Sequence, residues 1–188
     1  MRRIAPAVLI LALSSPAIAA PVAYDLQPDR STVTYETDFG AQIISGHIPI
    51  ASADLVLDLD RLANCTVAVV LNAAGADASF PFAAEAMKGK TVLDAGDFPT
   101  ITFVSSAVKA AGDGALISGA LTIRGVTRKV TLNAAIFRQQ GTQAGDRSHL
   151  TVRLTGKVKR SDFGATGFGQ QVGDEVRIII TARIARHE

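Results

Sequence analysis

From about residue 22 onward, apolar and polar side chains alternate with a period of two. Val176, Ile178, Ile180, Ala182 and Ile184 share one face, while Arg177, Thr181 and Arg183 share the other, with Ile179 and Ala185 as apolar exceptions. Leu150, Val152, Leu154, Gly156 and Val158 alternate in the same way with Thr151, Arg153, Thr155 and Lys157. Val130, Leu132, Ala134 and Ile136 repeat the pattern. Successive strand side chains point to opposite faces, so each run predicts a strand with one buried and one wet face. Further strands are expected near 22–26, 31–38, 42–50, 53–60, 65–73, 100–109 and 115–123. Asp113-Gly114 and Arg124-Gly125 mark tight turns, and Gly141 to Asp146 reads as a longer hairpin loop. One helix is expected, from Phe82 to Lys88, with Pro81 at its start and Gly89 at its end.

Many strands, short turns and one helix predict an all-β fold, either a closed barrel or a sandwich. A barrel of about eight strands can hold one small ligand, whereas a sandwich buries its faces against each other. Tryptophan is absent and there are two tyrosines, while Ala, Val and Ile crowd the apolar faces. Such small, branched walls leave room for a guest but equally suit a filled core.

The start of the chain changes the setting. Arg2 and Arg3, an apolar run from Ile4 to Leu13, and Ala17-Ile18-Ala19 read as a secretory signal peptide over residues 1–19. The remaining domain, 20–188, is then expected in a periplasm, with no transmembrane anchor after cleavage. The chain has 19 Lys and Arg against 17 Asp and Glu, and two of the basic residues leave with the signal. The mature domain is therefore neutral, which argues against nucleic acid as a partner. Cys65 is the lone cysteine and lies in an apolar run, so burial as a small hydrophobe is expected rather than a disulfide.

The connections between the strands carry a resemblance. Tyr24-Asp25-Leu26-Gln27-Pro28-Asp29-Arg30-Ser31, Leu93-Asp94-Ala95 and Phe98 to Phe103 with Ser105-Ser106 occur in order. Gly119 to Thr127, Arg160-Ser161-Asp162-Phe163-Gly164 and Gly173-Asp174-Glu175-Val176 follow. Together they resemble the YceI-like family of periplasmic lipid-binding proteins across nearly the whole mature chain. The resemblance implies an extended, lipocalin-like antiparallel barrel around a polyisoprenoid or similar long-chain apolar lipid, with no metal, no cofactor and no covalent catalysis. Arg30 stands where that family often has His, and Tyr35 to Gly40 contains no His.

The residues themselves offer little catalytic chemistry. His47, His149 and His187 lack metal-ligand spacing, and Ser105-Ser106 has no adjacent base. Gly164 to Gly169 lacks the Lys-Ser/Thr of a phosphate loop and reads as a loop at a barrel mouth. Asp58 and Asp60 share a face opposite Leu55, Leu57 and Leu59, so both acids are expected in solvent. Arg160 and Asp162 are expected to pair near a barrel end. Strand phase nominates Val67, Val69, Leu71, Ile101, Phe103, Leu132, Leu154, Ile178 and Ile180 as the wall of an apolar pocket, with Met87 placed to cap one end. Three functions fit: a carrier of a long apolar molecule, an isomerase-like enzyme on an apolar substrate, and a filled barrel acting through a protein partner. A homodimer is compatible with each.

Overall fold

Alternating runs must bury one face, and here they do so by closing on themselves. The computed structural model describes residues 20–139 and 141–188; the expected signal segment, 1–19, lies outside them. The strands are β1 (Val22–Leu26), β2 (Thr32–Phe39), β3 (Gln42–His47), β4 (Ile50–Leu57) and β5 (Thr66–Asn72). Helix α1 (Pro81–Lys88) follows, then β6 (Thr100–Ala111), β7 (Gly114–Ile123), β8 (Val126–Arg138), β9 (His149–Lys159) and β10 (Val172–Arg186). They form one sheet in the order β1-β4-β5-β6-β7-β8-β9-β10-β2-β3, and β1 also pairs with β10.

That extra pairing closes the ring. β1 and β2 are two halves of one arm, broken by a 3₁₀ turn at Pro28–Arg30, and both lie along β10. β3 and β4 form the returning arm, broken at Ile48-Pro49. The result is a closed antiparallel barrel of eight arms with one helix. The separate strands expected near 42–50 and 53–60 are thus parts of one arm, interrupted where Pro49 lacks an N–H to donate.

Turn chemistry follows from backbone angles. Arg124 and Gly125 both have positive φ, +54° and +73°, as a two-residue type I′ hairpin requires. Thr122 and Thr127 flank it with their hydroxyls 2.8 Å apart. The β6–β7 turn sits one residue earlier than expected: Gly112 takes the positive φ, while Gly114 already pairs with Ala111 in the strand.

The barrel ends differ. One end carries the β4–β5, β6–β7 and β8–β9 turns, where Tyr24, Leu55, Leu150 and Ile184 pack together. The other carries the β2–β3 tip, the 73–99 excursion with α1, the Arg124-Gly125 turn and the 160–171 connection. Two arginines tie these segments together through backbone carbonyls. Arg124 donates to Gly164 and Lys90 and lies 3.8 Å from Asp94. Arg160 donates to the carbonyls of Ala165, Gly167, Val172 and Gly173 at 2.6 to 3.0 Å. The expected Arg160–Asp162 pair therefore does not form, because four carbonyls left free by an irregular loop are the stronger claim on a forked donor.

Replacing Arg160 with Met keeps its bulk and strands those carbonyls. The expected outcome is a loss of about 2 to 4 kcal/mol, seen as a lower urea midpoint at unchanged slope.

Candidate functional site

The inward faces of the ten strands enclose a cavity of about 610 Å³. This lies within the roughly 300–1,000 Å³ common for small-molecule sites. Several inward strand positions are short, which leaves space between the larger Val, Leu and Ile side chains of the wall. Ala53, Ala115, Ala134 and Ala182 stand on its wall, and Gly156 has no side chain where an added Cβ would strike Leu132.

All nine residues nominated from strand phase lie on this wall. Ile101, Leu132 and Leu154 are buried, while Val67, Val69, Leu71, Phe103, Ile178 and Ile180 are only half-buried. Their free surface is turned to the cavity rather than to a neighbouring side chain. Met87 lines the cavity from α1, together with Ala83 and Ala86. The interior is therefore not filled.

Polar groups on the wall are few: Thr34, Tyr35, Thr37, Arg160 and Gln171, besides the thiol of Cys65. Most are committed to the protein itself. The Tyr35 hydroxyl donates to the Asp77 carbonyl at 2.7 Å. Thr37 is within 3.1 Å of the Gly173 and Glu175 carbonyls, where β10 bulges between Val172 and Val176. Burial, with the nearby Asp77 charge, pushes the Tyr35 phenol up to about 12. Burial also pushes the Cys65 thiol up, so it stays a neutral thiol at ordinary pH.

Sequence reasoning overlooked Tyr35, Thr37 and Gln171 as wall residues. Alternation along 31–38 could have placed the first two inward; nothing in the sequence signals Gln171, which comes from a loop. It also misplaced one acid. Asp58 is only 4% exposed, because its carboxylate caps the turn after β4. It accepts from the Asp60 and Arg61 amides and from Asn64. The Asn64 hydrogen bond, with those amides, holds its carboxyl below the usual range. Asp60 instead reaches outward to a bidentate pair with Arg147 at 2.8 and 2.9 Å. The two acids thus have separate structural partners.

The YceI-like domain family matches residues 24–184 of this chain. A UPF0312 protein of Yersinia pestis is 32% identical over 115 residues, 61% of this chain and 59% of that protein. The YceI protein of Salmonella arizonae is 32% identical over 115 residues, covering 60% of its length. The chain thus spans about three fifths of the curated relatives it matches. Among solved structures, Burkholderia cenocepacia BcnA superposes with a TM-score of 0.75 at 24% identity, over 85% of this chain and 99% of that one. A Campylobacter jejuni YceI protein gives 0.59 at 21% identity, over 75% and 84%. Both share the barrel fold.

The position of Tyr35 sets a pH dependence. Its neutral form is the buried one, so the stability it contributes is complete below pH 10 and is lost as pH rises toward about 12. The loss amounts to roughly 3 kcal/mol at most. With two tyrosines and no tryptophan, phenolate absorbance reads the transition directly. Tyr35→Phe should abolish the later of two phenol titrations and flatten the stability loss between pH 10 and 12; an unchanged late titration would refute the assignment.

Proposed function

The chain belongs to the YceI-like domain family, and on that premise we propose that it is a periplasmic binding protein for a long apolar lipid of the polyisoprenoid kind. The observation that carries this reading is the cavity of about 610 Å³, walled by apolar side chains from every strand of the barrel. Room for about twenty waters at ~30 Å³ each would be poorly served by so few polar partners. An apolar chain in the same space gains about 0.8 kcal/mol per buried CH₂ and needs few polar anchors.

The ligand is held rather than transformed in this reading. The Tyr35 phenol is too weak an acid to exchange a proton near neutrality. The Arg160 guanidinium is engaged with backbone carbonyls. The secretory pattern at residues 1–19 supports export, and a neutral mature chain suits a carrier that must not adhere to nucleic acid.

The test is mass spectrometry of organic extracts from protein purified without detergent. A stoichiometric long-chain lipid is expected from the native protein. Phe103→Asp places a carboxylate on the cavity wall and should abolish that lipid in a still-folded variant. Native protein that is repeatedly empty, or undiminished lipid in the variant, would overturn the reading.

A further inference from the structure

Large apolar side chains are exposed at the end of the barrel that carries α1. Phe39, Phe80, Phe82 and Phe168 all line the cavity, yet all are exposed, Phe82 to 90%. They come from three segments that the backbone binds into one rim. The Gly40 amide donates to the Gln171 carbonyl at 3.2 Å, and the Ser79 amide to the Ser45 carbonyl at 2.7 Å. Gly46 permits the second contact, because a Cβ there would collide with the Asp77 carbonyl. The rim is also apolar on its outer side: Ile43, beside the β2–β3 tip, is 54% exposed and stands outside the cavity wall.

Charge identifies what covers this surface. Residues 39–46, 78–84 and 164–173 contain no Asp, Glu, Lys or Arg. The flanking acids, though exposed at Asp38, Asp77 and Glu85, each keep a partner within the chain: Asp38 accepts from Arg177 at 2.9 Å, Asp77 from the His47 amide at 2.6 Å, Glu85 from Lys88 at 2.8 Å, and Asp174 from the Ser161 hydroxyl at 2.8 Å. The other charges of this end, from Glu85 to Asp97, at Arg124, and at Arg160 and Asp162, lie outside these three stretches. A surface whose own stretches carry no charge and whose bordering acids already have partners, aromatic at its edge and continuous with an apolar interior, is complementary to uncharged amphiphiles rather than to a charged protein face.

We propose that this rim docks into the interfacial layer of a lipid bilayer, with the β2–β3 tip immersed on both faces. An apolar molecule then passes between bilayer and cavity without crossing water. The docking surface goes beyond the identity of the cavity's occupant, although its purpose rests on the binding-protein reading. The two fail separately, since lipid extracted from purified protein reports on the cavity alone.

Because the chain has no tryptophan, Ile43→Trp is a clean probe that cannot report cavity filling. The mature variant is mixed with uncharged phosphatidylcholine vesicles. Its emission should shift to the blue and be quenched by acyl-brominated lipid, equally in low and molar salt. Phe82→Ser in that background should weaken vesicle partitioning about tenfold. Phe137→Trp, exposed on β8 near the opposite end, should not respond. An unshifted Ile43→Trp signal, an equal response at Phe137→Trp, or binding confined to anionic vesicles at low salt would overturn the proposal.

Discussion

Closing eight antiparallel arms into a hydrogen-bonded ring gives most strands a partner on each side, and sets the width of what the ring encloses. At that width, side-chain size decides whether the interior is solid or hollow. Here Ala53, Ala115, Ala134, Ala182 and Gly156 take inward positions, and no tryptophan compensates. The cavity is thus a consequence of closure combined with short residues at several inward positions. Remove the β1–β10 pairing and the same side chains would have no common interior to face.

Closure also explains the arginines at the α1 end. Strands hydrogen-bond one another, but the 73–99 and 160–171 connections have no such ladder, and their carbonyls need donors. Arg124 and Arg160 supply them, with forked guanidinium groups that reach several carbonyls at once. Those contacts hold the segments in place around an opening whose edge is aromatic. Those loops present Phe80 and Phe168 at the cavity's edge while leaving both exposed.

The wall of the cavity was largely legible in the sequence because alternation is a local signal. A strand's phase places Val67, Val69 and Leu71, or Ile178 and Ile180, on one face whatever lies across from them. The resemblance supplied closure, which phase alone leaves undecided between barrel and sandwich. What phase does not reach are contacts made between distant segments. Asp58 lies just past the end of β4, where the chain turns, so its strand phase no longer applied and its carboxylate caps backbone amides instead. Arg160 looked like a partner for nearby Asp162, yet its carbonyl partners include Val172 and Gly173 beyond the loop. Gln171 and the phenylalanine rim depend on which loops meet in space, and neither composition nor spacing encodes that meeting.

The central claim is that the barrel is built hollow around an apolar guest. Its most direct test is a crystal structure of protein produced from the full sequence and purified without detergent. The account predicts continuous elongated density between Phe103, Leu132 and Ile178, with those side chains held back against the wall. An interior in which Phe103 and Leu132 have swung inward to meet one another, leaving no continuous volume, would contradict it.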